Sequence, residues 1–299
     1  MRTVFIGTSE FAATVLRRLA TSPHGPLLVV TRPDRPRGRG QRLTPPPVAV
    51  CARELGIEIV QPASVNDEQT RALIADVEPE MLIVSAYGGL IGEQLLSVHA
   101  ILNVHPSLLP RWRGAAPIER AIIAGDELTG VSIMRVTASL DAGPVCAQRS
   151  EPIAAVDTYG TLSERLARHG GELLVQTLEF TPPCRDQDDS RATYAEKISG
   201  EDRWLDPAAT AIELERRVRA LEPHVRARVE LPDGVTLGVR HARALPSDAA
   251  APGALSLAGP RPMLGCAEGS LELLVVQPPG RKAMSGEDYV RGLHSHAGS

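Results

Sequence analysis

Short apolar runs and longer amphipathic stretches alternate through the first two-thirds of this chain. Residues 3–6, 27–31, 81–84 and 101–104 are brief and rich in β-branched residues or Leu, and each predicts a buried strand. Between them, residues 10–20, 48–55 and 67–76 carry helical patterns. Leu73 and Ile74 supply the apolar face of the last one. Strand and helix in alternation predict an α/β fold, a Rossmann-like and mostly parallel sheet covered on both faces. Residues 129–136 predict one more strand. Residues 159–180 predict a long helix with Leu162, Leu166, Leu173, Leu174 and Leu178 at largely helical spacing, and Gly170-Gly171 as a point of interruption.

The texture changes at residues 181–190, which are polar and contain Pro182, Pro183 and four Asp or Gln residues. That composition suits a linker. Beyond it, residues 208–220 predict a helix, and residues 225–231, 235–239 and 271–276 predict short strands around a turn at 232–234. The expected organisation is a first domain over 1–180, a linker over 181–206 and a smaller, mainly β second domain over 207–299.

Length and composition fit this division. The chain has 299 residues, enough for about two domains. Its net charge of −4 argues against a broadly basic nucleic-acid binder, so RNA contact requires a local patch. One such patch exists. Residues 32–42 hold Arg32, Arg35, Arg37, Arg39 and Arg42 against the single acid Asp34, with prolines and glycines that argue for an irregular loop. A segment of this kind suits phosphate or base-edge contact, and it also reads as a solvated surface loop. The four cysteines, Cys51, Cys146, Cys184 and Cys266, show no metal-ligand spacing, and reduced, idle thiols are expected. Signal-peptide layout and spanning apolar runs are absent, which predicts a cytoplasmic protein without a membrane segment.

Two stretches carry candidate chemistry. Gly7, Thr8 and Ser9 follow the first strand, but the turn lacks the G-x-G-x-x-G pattern. It reads first as a structural turn, with a cofactor cradle as the alternative. Asn103 and His105 end an apolar strand, and their spacing of two puts both side chains on one face. Chemistry in such sheets belongs at the carboxyl ends of strands. Pro106 and Pro110 then force an extended loop in which Leu108 and Leu109 can line an apolar pocket. Asp141 follows the 129–136 strand in a tight Asp-Ala-Gly loop that could return a carboxylate to the same edge. Asn can donate to a developing oxyanion, His can relay protons, and Asp can orient the His. The same residues would equally satisfy strand-end backbone groups.

The block SLLPRWRGAAPI at 107–118, followed by TGVSIM at 129–134 and the Asp141 loop, resembles the folate-dependent formyltransferases. Further segments resemble the members that act on methionyl-tRNA: FIGTSEFA at 5–12, RPDRP at 32–36, GRG at 38–40, TYAEKI at 193–198 and PGRKAM at 279–284. The resemblance implies catalysis by Asn103, His105 and Asp141, with 10-formyltetrahydrofolate as donor and no metal. It implies folate contact by Ser107, Leu108, Leu109 and Pro110, with Ala86, Tyr87 and Gly88 as the other wall of the pterin pocket. It implies initiator methionyl-tRNA as acceptor, contacted by Arg35, Arg37, Arg39 and Arg42, with Arg39 entering the acceptor stem. A monomer whose second domain is an OB-like barrel with a basic face is expected. Pro106 stands where the family more usually has Gly, and Gly89 and Gly92 loosen the 85–92 loop. From Trp204 onward eleven Lys or Arg balance eleven Asp or Glu, so a basic face needs local arrangement, for example of Arg216, Arg217, Arg219, Arg226 and Arg228. The competing functions are an amino-sugar N-formyltransferase and a non-catalytic tRNA- or folate-binding protein.

Overall fold

A computed structural model describes residues 1–37, 40–231, 234–247 and 250–297. They cluster into two compact units. One contains residues 1–117, 128–152 and 163–196, the other residues 118–127, 153–162 and 197–299.

The first unit is built on a seven-stranded sheet. From one edge its strands are Val145–Pro152, Leu128–Arg135, Ile101–His105, Met81–Ser85, Thr3–Gly7, Pro26–Val30 and Glu58–Val60. The last five are parallel, and the first two add antiparallel. Thr3–Gly7 is buried along its whole length, as a strand covered on both faces must be. The chain leaves this strand toward Pro26–Val30 and later returns on its other side as Met81–Ser85. The strand order therefore reverses here, and in open α/β sheets a crevice forms where that happens. Helix Glu10–Ala20 covers the sheet with Phe11, Val15, Leu16 and Leu19, and Ser9 caps it by accepting from the Ala12 N–H.

The expected strands and helices of this unit form close to the anticipated limits. Helix Tyr159–Phe180 runs uninterrupted through Gly170-Gly171. A Cβ at Gly170 would lie 2.8 Å from Val104 Cγ1, so the glycine serves close packing and does not break the helix.

Two expectations are corrected. The arginine segment is not irregular: Arg35–Arg37 and Arg42–Thr44 pair as an antiparallel hairpin, Arg35 opposite Thr44. Gly38 and Arg39 lie outside the described residues. The cysteines are not all free thiols, because Cys146 and Cys184 form a disulfide. Their neighbours bring them together: Val145 and Arg185 exchange backbone hydrogen bonds of 2.8 and 2.9 Å, a pairing across 40 positions that spacing rules do not register. Cys51 and Cys266 remain free and buried, and burial pushes both thiols up.

In the second unit, helix Ala211–Leu221 starts with a complete capping box between Thr210 and Glu213. Leu214, Val218 and Leu221 share a core with Val229, Leu237, Val239, Leu264, Leu271, Leu273 and Val276. These come from an antiparallel sheet whose main strands are Ala227–Glu230, Thr236–Leu245 and Ser270–Gln277. The turn expected at 232–234 falls partly outside the described residues. Among the described residues no helix is long and apolar enough to cross a membrane.

Candidate active site

A cleft of about 430 Å³ opens at the carboxyl ends of Met81–Ser85 and Ile101–His105. Asn103, His105 and Asp141 line it together, and Ala86, Tyr87 and Gly88 form part of the facing wall. Leu90, Ile91, Met134 and Val136 make the remaining surface largely apolar.

The three polar residues are mutually connected. Asn103 Nδ2 donates to Asp141 Oδ1 at 3.4 Å. Asp141 Oδ2 accepts the Gly114 N–H at 2.9 Å and lies 3.7 Å from His105 Nδ1. His105 is buried, and its Nε2 lies 2.9 Å from the Trp112 carbonyl. A carbonyl only accepts, so in neutral His105 the proton sits on Nε2 and Nδ1 carries the lone pair. That lone pair is on the Asp141 side of the ring.

Left-handed backbone occurs at and beside this cleft. Ala86, Trp112 and Asp141 all have positive φ, at 41°, 63° and 47°. Such left-handed residues persist only when neighbouring structure over-determines them, and they gather at functional sites. Two glycines make the local approach possible. Gly114 has φ +116°, and a Cβ there would lie 2.8 Å from the Ala195 carbonyl. Gly143, two residues after Asp141, would place a Cβ 1.9 Å from the Arg135 carbonyl.

The wall at 86–88 is tied down from behind. Thr8 Oγ1 donates to the Tyr87 carbonyl at 2.9 Å. Arg32 donates to the carbonyls of Ala63 and Gly88 at 2.8 and 2.9 Å, and its guanidinium lies 4.8 Å from the centre of the Tyr87 ring. Thus Thr8 of the Gly7–Ser9 turn supports the wall, and Arg32, which the sequence groups with the RNA-facing arginines, buttresses the cleft.

Ser107, Leu108, Leu109 and Pro110 do not line the cleft. Ser107 and Leu109 are buried. Ser132 Oγ donates to the Ser107 carbonyl at 2.6 Å and accepts the Leu109 N–H at 3.1 Å. Gln148 Nε2 donates to the Leu109 carbonyl at 2.9 Å. These four residues form a turn, tied down by those bonds, that follows strand Ile101–His105. Ser132 and Gln148 had no signal in the sequence, because only the pairing of Leu128–Arg135 with Val145–Pro152 sets them side by side.

A second cleft, of about 280 Å³, shares Ala86, Tyr87 and Gly88 and is lined also by Thr8, Arg32 and Arg35. The arginine hairpin therefore starts beside the candidate catalytic cleft. Arg35 and Arg42 are exposed. In the second unit the suggested basic face is partly consumed: Arg219 bonds Glu215 and the Asp157 carbonyl, and Arg217 bonds the Trp204 carbonyl. Arg226 and Arg228 are exposed.

The formyl transferase family model matches residues 1–178, and the model of the formyl transferase C-terminal domain matches residues 197–294. The chain belongs to the formyltransferase family. A methionyl-tRNA formyltransferase from Methylococcus capsulatus is 43% identical over 304 residues, covering 99% of this chain and 97% of that protein. One from Halorhodospira halophila is 41% identical over 302 residues, covering 97% of this chain and 96% of that protein. Among solved structures, HypX from Aquifex aeolicus in complex with tetrahydrofolic acid superposes with a TM-score of 0.65 at 16% identity. The match covers 97% of this formyltransferase chain but spans only about half, 47%, of HypX, and at that identity it speaks for the fold alone.

Proposed function

We propose that this formyltransferase transfers the formyl group of 10-formyltetrahydrofolate to the α-amino group of methionyl-tRNA, giving N-formylmethionyl-tRNA for translation initiation. The observation that carries the reading is the convergence of Asn103, His105 and Asp141 on one cleft, in a chain matching methionyl-tRNA formyltransferases along almost its whole length.

The cleft suits the donor. Its volume falls within the usual range for small-molecule sites, and its apolar walls with a few convergent polar groups fit a flat heterocycle beside a reactive amide. The folate supplies an activated formyl carbon. Asn103 Nδ2 donates to the formyl oxygen as negative charge develops on it. His105, held in one tautomer by the Trp112 carbonyl, receives at Nδ1 the proton released by the attacking amine. The Asp141 carboxylate, 3.7 Å away, stabilises the resulting imidazolium. One carbon–nitrogen bond forms to the amino group and one breaks at the folate nitrogen. His105 returns the proton to that leaving nitrogen.

The arginine hairpin favours a tRNA acceptor over an amino sugar. Arg35 lines the cleft beside the site, and Arg42 pairs with Arg37 in the same hairpin. Arg35, Arg37, Arg39 and Arg42 are proposed to contact the acceptor stem. The second unit, an OB-like barrel in this reading, adds phosphate contacts through exposed arginines. The protein acts as a cytoplasmic monomer. Ser107–Pro110 support the folate site from behind the strand.

The decisive assay supplies the purified protein with 10-formyltetrahydrofolate and either methionyl-tRNA or an amino-sugar nucleotide. Formylation of the tRNA alone is expected, and formylation of the sugar alone would overturn the acceptor assignment. Asn103→Ala should lower kcat by about a hundredfold or more, the usual consequence of removing an oxyanion donor, while folate binding survives. Unchanged turnover would remove Asn103 from the mechanism.

A further inference from the structure

The candidate site depends on an anchor that its three central residues do not supply. Asp141 adopts φ +47°, a left-handed backbone state that needs support from its surroundings. Its carboxylate is held by Gly114 and Asn103, but those bonds do not fix the backbone that carries it. Gln187 does. Its Nε2 donates to the carbonyls of Asp141 and Gly143, at 2.8 and 2.7 Å, on both sides of the loop.

Gln187 is itself fixed. Its Oε1 accepts from Arg113 Nε at 3.0 Å and Nη2 at 2.9 Å. Arg113 is buried, with Asp189 as its ion-pair partner at 2.7 Å. Arg113 also precedes Gly114, whose N–H holds the Asp141 carboxylate. One buried guanidinium thus links the amide that grips the Asp141 backbone to the strand that grips its side chain. The hold on Gln187 is completed two and three residues earlier, where Arg185 pairs with Val145 and Cys184 with Cys146. Both N–H donors of the Gln187 amide go to this loop, and its oxygen accepts from Arg113.

We infer that Gln187 is a positioning residue for formyl transfer: it holds the Asp141 loop so that the carboxylate faces His105 Nδ1. This rests on the reading of Asn103, His105 and Asp141 as the catalytic set. Gln187 acts through Asp141 and does not line the cleft, so its loss affects the chemical step more than binding.

The test is steady-state formylation of methionyl-tRNA by the full-length protein and by Gln187→Ala, Gln187→Glu, Asp141→Asn and the double variant Asp141→Asn/Gln187→Ala. Gln187→Glu keeps an acceptor for Arg113 and turns a charged carboxylate oxygen toward the two carbonyls that the amide N–H groups held, so it releases the loop without truncating the side chain. The expected result is a loss in kcat of about ten- to a hundredfold for either Gln187 variant, in the range for an ångström-scale misplacement. KM for tRNA and folate should change by no more than about twofold. The double variant should be no slower than Asp141→Asn alone, because both changes remove the same placed carboxylate. If Gln187→Glu keeps wild-type kcat, or if the two losses multiply fully, Gln187 does not position Asp141. If Asp141→Asn itself keeps wild-type kcat, the catalytic reading fails, and this inference falls with it.

Discussion

Arg32 shows how one side chain changes meaning between sequence and structure. In the sequence it is one of five arginines in eleven residues. In the fold its guanidinium is committed to the Ala63 and Gly88 carbonyls and to the Tyr87 ring. Charge-assisted bonds of this kind contribute about 1.5–3 kcal/mol each when the partners are shielded. Arg32→Ala should therefore loosen the 86–88 wall and raise KM for the folate donor by about tenfold. The tRNA KM should stay near wild type, and steady-state kinetics with each substrate varied in turn will show the split. The same contrast marks Asn103 and Asp141. Period-two spacing was enough to put Asn103 and His105 on one face, because strand geometry is local. Asp141 lies 38 positions from Asn103, and its arrival depends on the Gly114 N–H, the tight Gly143 turn and Gln187. The Asp-Ala-Gly loop suggested such a return, but the Gly114 N–H and the Gln187 amide that fix it leave no spacing pattern in the sequence.

At the scale of elements, hydrophobic period and length were reliable guides where burial was two-sided, as in Thr3–Gly7 and Met81–Ser85. They were less reliable where glycine and proline dominated. Gly170-Gly171 suggested a break in helix Tyr159–Phe180, yet the helix is continuous because Val104 and Val131 occupy the space a side chain would take. Gly170→Ala tests this. Helix propensity alone would favour alanine by about 1 kcal/mol. Overpacking against two buried valines costs about 1–3 kcal/mol. A net loss is expected, measured as a lower midpoint in denaturant unfolding, and a gain would show that the sheet yields. The arginine segment erred in the opposite direction. Its prolines and glycines suggested irregular chain, but Arg35–Arg37 and Arg42–Thr44 pair as a hairpin.

For the whole molecule, net charge and function diverge. A chain of net charge −4 binds a polyanion only through local fields. The hairpin provides one such field beside the candidate catalytic cleft. Arg35→Ala and Arg42→Ala should each weaken tRNA binding and reduce the slope of log affinity against log salt by about one, as expected for each lost phosphate contact. Binding titrations at several salt concentrations measure this, and an unchanged slope would place the tRNA elsewhere. The acidic residues that balance the second unit's arginines also pair with several of them, Arg219 with Glu215 and Arg243 with Glu272 among them. Neutral composition there reflects internal pairing as well as weak overall field.

The sequence by itself determined the alternation of strands and helices, the shared face of Asn103 and His105, and the cluster of arginines near the first crossover. Each depends on residues within a few positions of one another, where period, propensity and charge act locally. Its family motifs also indicated the chemistry. Only the tertiary structure decided that Asp141 closes on His105, that Arg32 braces the cleft, that Cys146 meets Cys184, and that Gln187 ties the loop. Those outcomes rest on contacts between segments tens of residues apart. Such contacts are set by close backbone approach and by satisfying buried donors and acceptors, which composition and spacing do not encode.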